Sequence, residues 1–339
     1  MSATIHQLTQ AQDPAPSIAP LMQLVAPELN GVNEIILARM QSDVAVIPTL
    51  AGHLIAGGGK RLRPMLTLAS GRLVGYEGTR HHKLSAAVEF IHTATLLHDD
   101  VVDGSEQRRG KRAANLIWGN QATVLVGDFL FSRAFELMVE DGSLRVLKIL
   151  SSASAVIAEG EVDQLQAQRQ IETTEERYLQ VITAKTAVLF AAACQIAGVV
   201  AEAPEATVTA LESYGRNLGI AFQLVDDAID YAGDTETMGK DAGDDFRDGK
   251  LTLPVILAYR RGDTAARTFW RDAMEGRRVS DADFAEARAR IADLGTLDDT
   301  LQRARHYGRL ALDAIADFPA SSAKAALTET VRFAISRAY

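Results

Sequence analysis

A single cysteine, Cys194, stands in 339 residues. No internal disulfide can form, and a reducing compartment, the cytoplasm, is expected. Proline is scarce, at 9 residues, in a composition that is otherwise ordinary for a globular protein. A basic surplus is also missing. The formal net charge of -9 argues against a nucleic-acid binder, which needs a positive face. Met1–Pro20 has no basic stretch leading into an apolar one, so no secretory signal is expected. The longest greasy run, Ala187–Ala201, is interrupted by Gln195. It falls short of the roughly 18 apolar residues of a membrane span and is expected to be a buried helix. No Ser–His or Cys–His nucleophile arrangement is evident, nor a GxxxxGK[ST] phosphate loop. No repeat or linker divides the chain, and no stretch alternates persuasively as a strand.

What is present is helical. Leu24, Val25, Leu29, Val32, Ile35, Ile36 and Met40 recur at helix spacing, predicting one or two helices over Leu21–Ala56. Further helices are predicted over Met65–Val74, Leu84–Val102, Gln121–Val139, Val146–Gln168, Glu175–Val200 and Tyr214–Tyr231, with Ala- and Arg-rich helices from Arg260 onward. The expected fold is a single all-α domain over residues 21–339, preceded by a flexible segment over 1–20.

Two acidic motifs stand out from this apolar background. Asp99, Asp100 and Asp103 form one DDxxD; Asp226, Asp227 and Asp230 form another. Residues four apart share a helix face, so Asp99 with Asp103 and Asp226 with Asp230 each aim two carboxylates in one direction. Burying unpaired charge is costly. The motifs therefore suggest a hard-cation site at the mouth of an apolar cavity. An EF-hand is excluded, because Val101 and Val102 break its alternating ligand pattern. His92 and Glu89 fall near the stripe of Asp99 and Asp103, which favours a site role for His92 over the usual core histidine; His98 lies off it.

Basic residues surround the acids. Gly57–Gly59 breaks a helix before Lys60, Arg61, Arg63 and Pro64. That reads either as a solvated turn or as a helix N-terminus suited to an anion. Arg108, Arg109, Lys111 and Arg112 follow the first motif in a loop, again either solvated or folded back to clamp phosphate. Lys185, next to Thr186, sits in an apolar run and either snorkels or meets an anion. Gln223 shares a face with Asp226 and Asp227. The polar segment Gly233–Lys250, with Lys240, suits a lid or active-site loop. Carboxylates and diphosphate oxygens are hard ligands that suit Mg²⁺. The cations Lys60, Arg63, Arg108, Arg109, Lys185 and Lys240 exceed the needs of one small anion, which points to two phosphorylated substrates.

These residues together resemble the trans-isoprenyl diphosphate synthases, most of all their bacterial long-chain group. The matching pieces are Gly58–Pro64, Glu89–His92, Leu96–Asp103, Arg108–Gly110, Gly127-Asp128, Glu159–Glu161, Lys185-Thr186, Phe222–Asp230 and Met238–Lys240. Either DDxxD alone is weak; the ordered set is specific. The resemblance implies an all-α bundle of the isoprenoid synthase type with a central hydrophobic cavity, usually a homodimer, over 21–339. It implies a Mg²⁺-dependent prenyltransferase. Such an enzyme ionises an allylic diphosphate, adds isopentenyl diphosphate to the cation, and loses a proton to the released diphosphate. The product would be a long all-trans polyprenyl diphosphate, octaprenyl or similar, used for a ubiquinone-type side chain.

It further implies that Asp99, Asp103 and Asp226 bind Mg²⁺, with Asp100, Asp227 and Asp230 at the metal or just behind it. Lys60, Arg63, His92 and Arg109 would hold isopentenyl diphosphate. Arg108, Lys185, Thr186, Gln223 and Lys240 would hold the allylic diphosphate, and Lys185 would share in catalysis with the aspartates. Short-chain relatives often carry bulky aromatics where this chain has Ala94 and Thr95. Those small residues are expected to leave a product tunnel open, with Ile91 or Phe90 on the same helix, or Phe131, Phe135 or Met138 on the next, as its floor. The rival readings are a short- or medium-chain synthase, a terpene cyclase, and a non-catalytic synthase subunit. The paired acidic motifs and the two basic clusters speak against the last two.

Overall fold

The computed structural model describes residues 15–55, 59–108, 110–167, 170–232 and 243–337. Its first helices are α1 (Ala19–Arg39), α2 (Val46–Ile55), α3 (Leu62–Leu73) and α4 (Arg80–Val102). A ribbon of two short strands follows, β1 (Gln107–Arg108) and β2 (Lys111–Arg112). Then come α5 (Ala114–Asp141), α6 (Leu144–Ala167), α7 (Glu175–Ile182), a π turn (Thr183–Ala187), α8 (Val188–Val200) and α9 (Glu205–Ala232). The chain ends with α10 (Asp244–Arg247), α11 (Leu253–Arg261), α12 (Thr264–Met274), α13 (Asp281–Asp293), α14 (Thr296–Ala314) and α15 (Ser322–Ser336).

Local chemistry sets the helix ends. Pro20 and Pro254 occupy first-turn positions of α1 and α11, where a missing N–H costs nothing. Thr174, Asp263, Ser280 and Ser321 cap α7, α12, α13 and α15 through their side chains, and Ser280 with Asp283 completes a capping box. Of the segment 1–20 expected to be flexible, residues 1–14 lie outside the described residues. Ala19 and Pro20 already belong to α1, and the Ser17 N–H donates to Glu329 at 3.1 Å.

The main core lies where α4, α8 and α9 meet α1, α3, α5 and α15. Phe90, Phe190, Leu218 and Tyr214 are buried there. The Tyr214 hydroxyl reaches the Leu327 carbonyl at 2.9 Å and ties α9 to α15. A second cluster, around Phe246, Phe269 and Trp270, closes the other end. Glu175–Val200 is long and apolar enough to cross a membrane, but 67% of its most apolar window is buried inside the fold. Its greasiness is that of a core element, as the sequence implies.

One close approach aligns the site. A Cβ on Gly219 of α9 would lie 2.6 Å from the Ala187 Cα of the π turn. A Cβ on Gly215, one turn earlier, would collide with the Phe190 carbonyl. Glycine at both places lets the backbone carrying Lys185 and Thr186 lie against the helix carrying the second acidic motif. The expectation of no strands is corrected by the β1–β2 ribbon. Gly110, at φ 71, turns the chain so that Gln107 pairs with Arg112 and Arg108 with Lys111.

Candidate active site

A cavity of about 1060 Å³ opens between α3, α4, the π turn, α9 and the end of α15. Both acidic motifs reach it, through Asp99 and Asp103 from α4 and its cap, and Asp226, Asp227 and Asp230 from α9. The cations Lys60, Arg63, Arg108 and Lys185 line it, as do His92, Thr186 and Gln223. Its apolar wall includes Leu96, Phe190, Phe222 and Phe333. The structure thus gathers most of the sequence-predicted residues into one hollow. Arg109 and Lys240 lie outside the described residues.

On α4, Asp99 is half-buried. Burial pushes its carboxyl above the ordinary range, while the Lys185 ammonium pulls it back. Lys185 Nζ stands 3.8 Å from Asp99 Oδ2 and 2.9 Å from Glu161. Burial works to lower the Lys185 pKa, but Asp99 and Glu161 outweigh it and the group ends above its usual value. Lys185 is therefore a charged lysine. It is aimed at the site by the π turn, a local widening of the helix that is common at functional positions.

Asp100 differs from its neighbours. Its side chain is 0% exposed and borders no part of the cavity. Oδ1 accepts from Arg108 Nε at 2.6 Å, and Oδ2 is buried without a partner. The resemblance places Asp100 at the metal or just behind it; in the structure it anchors Arg108, which suits the second of these places. One residue along a helix is a rotation of roughly 100°, so Asp100 cannot share the face of Asp99 and Asp103.

The second motif divides similarly. Asp226 Oδ1 meets Arg337 Nη1 at 2.9 Å. Asp230 accepts from the Asp245 N–H at 3.2 Å. Asp227, 5% exposed, has both oxygens engaged, one by the Tyr178 hydroxyl at 2.5 Å and the other by Gln223 Nε2 at 2.8 Å. Burial pushes its carboxyl up to about 7, aided by Asp245 and opposed by those two hydrogen bonds. Each of its oxygens accepts one hydrogen bond, which fits the place just behind the metal that the resemblance allows it.

The basic cluster before α3 also reaches the cavity. Lys60 Nζ lies 4.9 Å from the Phe333 ring centre and Arg63 lies 4.4 Å from that of Phe190. Burial and the nearby Arg337 depress the Lys60 pKa. Arg61, in a left-handed conformation at φ 50, turns inward to Glu89 at 2.5 Å.

The tunnel residues do not all face one way. Thr95 lines the cavity. Ala94 is fully buried in the main core and does not border the cavity. Phe131 stacks on His98 at 6.0 Å, Phe135 is 41% exposed, and Met138 is packed in the core. None of the three borders the cavity, nor do Phe90 and Ile91.

Four site residues were given no role from sequence. Glu161 holds Lys185, and Tyr178 holds Asp227. Lys250 bridges Asp103 at 4.0 Å, Asp245 at 3.5 Å and Asp248 at 3.2 Å. These acids overcome burial and hold its ammonium above its ordinary pKa. Arg337 closes the far side. Tyr178, two helical turns before Lys185, carried a spacing signal; Arg337, near the end of the chain, carried none.

The donor set was tested against a hard cation. Asp99, Asp103, Asp226 and Asp230 supply carboxylate oxygens to one hollow, and lysine or arginine side chains sit beside three of them. Among the described residues no group of three His, Cys, Asp or Glu side chains is assembled for an ion. That fits an ion held by one or two carboxylates and completed by substrate phosphate and water.

A family model described as Polyprenyl synthetase matches residues 44–291. Over 318 residues the chain is 45% identical to the octaprenyl diphosphate synthase of Escherichia coli (strain K12), covering 93% of this chain and 97% of that protein. The crystal structure of a polyprenyl synthase from Caulobacter crescentus CB15, complexed with calcium and isoprenyl diphosphate, superposes with a TM-score of 0.93 at 54% identity. It covers 97% of this chain and 100% of that one. A decaprenyl diphosphate synthase from Rhodobacter capsulatus gives a TM-score of 0.91 at 50% identity, covering 95% and 100%. On this match, over most of its length and throughout its fold, the chain belongs to the polyprenyl synthetase family.

Proposed function

We propose that this protein is a Mg²⁺-dependent trans-prenyltransferase that adds isopentenyl diphosphate to an allylic diphosphate and releases a long all-trans polyprenyl diphosphate. The observation that carries this is the shared cavity, where carboxylates from two distant motifs meet two sets of cations beside an apolar wall. The long product follows the octaprenyl and decaprenyl synthases it resembles.

Lys185, Thr186, Gln223 and Arg108 hold the allylic diphosphate, joined by Lys250. Lys60, Arg63 and His92 hold isopentenyl diphosphate. Arg109 and Lys240 are assigned to the same two sites from sequence. Asp99, Asp103 and Asp226, with Asp230 beside them, take magnesium. When bound, the metal supplies Lewis-acid stabilisation of the leaving diphosphate. Lys185 adds a fixed positive charge where negative charge develops as the allylic C–O bond breaks. The isopentenyl double bond then attacks the allylic cation to form the new C–C bond, and the proton lost passes to the released diphosphate. Leu96, Phe190 and Phe222 exclude water from the cation and receive the hydrocarbon.

The catalytic unit is residues 21–339, acting in the cytoplasm, with its product destined for a quinone side chain. It pairs as a homodimer. Leu116, Ile117, Leu125, Phe135 and Val139 on α5, with Val162 on α6, present apolar side chains to solvent, a surface suited to a second copy. Mass spectrometry of the product made from farnesyl and isopentenyl diphosphates with Mg²⁺ tests the activity. A polyprenyl diphosphate of about forty carbons or more is expected; farnesyl diphosphate returned unchanged would overturn the reading.

A further inference from the structure

Tyr178 stands on α7, and its helix runs through the π turn to Lys185 and Thr186. Four side chains from three segments form one directed chain of hydrogen bonds. The Tyr178 hydroxyl donates to Asp227 Oδ2 at 2.5 Å. Gln223 Nε2 donates to Asp227 Oδ1 at 2.8 Å. Thr186 Oγ1 donates to Gln223 Oε1 at 2.8 Å. With Tyr178 and Gln223 as donors, Asp227 accepts on both oxygens, and the Gln223 amide is set with Nε2 toward Asp227 and Oε1 toward Thr186. Turning the Gln223 amide over would give up the Nε2 hydrogen bond to Asp227 Oδ1 and face its carbonyl oxygen to that oxygen. Gln223 therefore has one N–H left over, at the cavity edge beside Thr186 and Lys185.

We infer that Tyr178 is a positioning residue for the allylic diphosphate, acting through Asp227 to lock the Gln223 amide with its remaining N–H toward the phosphate oxygens. Tyr178 need not touch the substrate. Removing its hydroxyl leaves Asp227 Oδ2 buried with no donor, and a buried acceptor without a partner relaxes by moving. That movement frees the Gln223 amide to turn. The inference rests on the proposed function for the identity of its anion, but not for the geometry of the chain.

The test is calorimetric binding of inorganic diphosphate with Mg²⁺, alongside steady-state kinetics with farnesyl and isopentenyl diphosphates. Tyr178→Phe is expected to weaken diphosphate binding about tenfold, the value of one hydrogen bond to a charged group. The KM for farnesyl diphosphate should rise with it and the KM for isopentenyl diphosphate should not. The double variant Tyr178→Phe/Gln223→Leu should bind no more weakly than Gln223→Leu alone, because both act on one donor. Additive losses, about a hundredfold together, would overturn the inference. So would a Tyr178→Phe enzyme that binds like wild type, which would leave only the packing of the ring. Should Tyr178→Phe not fold, Asp227→Asn is isosteric and accepts on one side only; unchanged diphosphate binding there refutes the chain. Wild type that binds diphosphate but does not condense the two substrates sinks the proposed function and leaves this inference standing.

Discussion

Lys185 of the π turn and Asp99 of α4 lie 3.8 Å apart, joined by an ion pair that brings two distant stretches of sequence to one wall of the cavity. Glu161 holds the same ammonium at 2.9 Å from α6. On the proposed mechanism, replacing Lys185 with alanine removes a fixed charge from where the leaving group becomes anionic. The expected loss is on the order of 10²–10³ in kcat. Lys185→Arg, which keeps charge but carries a wider, planar head, should recover only part of it. Single-turnover kinetics measure both.

Thr95 and Ala94 are neighbours in sequence and face different surroundings. Thr95→Phe places a ring on the cavity wall, and the product should shorten, as read by chromatography of the dephosphorylated prenols. Ala94→Phe should act elsewhere. It overpacks a buried position, at a cost of about 1–3 kcal/mol, and is expected to lower the melting temperature. Shortened product from Ala94→Phe with unchanged stability would restore its place on the tunnel wall.

Magnesium alone should bind weakly, because no three carboxyl or imidazole groups are preassembled among the described residues. Magnesium with inorganic diphosphate completes the ligand set, and binding to the folded state alone raises stability. Thermal melts should therefore show little shift with either component and a clear rise with both. Chelation with EDTA should reverse that rise. A large shift with Mg²⁺ alone would mean that the protein supplies most of the ligands.

His81 provides a pH dependence remote from the site. It is 3% exposed, its Nδ1 has no partner, and burial with the neighbouring His82 pushes its pKa down from 6.5 to about 4. The Glu28–Arg72 pair is adjacent and acts in opposing directions. The folded state keeps His81 neutral while the unfolded chain takes a proton below about pH 6.5. Its contribution is thus complete above pH 6.5 and is lost as pH falls toward 4, by at most about 1.4 kcal/mol per unit. Denaturant melts at pH 7 and pH 5 should show the fall, and His81→Leu should flatten it.

The sequence by itself determined the all-helical class, the two acidic motifs, the basic residue types around them, and the burial of Ala187–Ala201. These follow from short-range rules. Apolar spacing marks helices, and residues four apart share a face, so Asp99 with Asp103 and Asp226 with Asp230 could be paired before any fold was known. Only the tertiary structure decided which carboxylates do what. Asp100 turns from the cavity because a one-residue step rotates it off the face, and Arg108 is there to receive it. Asp227 is drawn into a hydrogen-bonded chain by Tyr178, 49 residues earlier. Arg337 meets Asp226 only because α15 packs back against α9. Local pattern specifies which atoms a helix can offer to one side; which side becomes the site depends on what the rest of the chain packs against it.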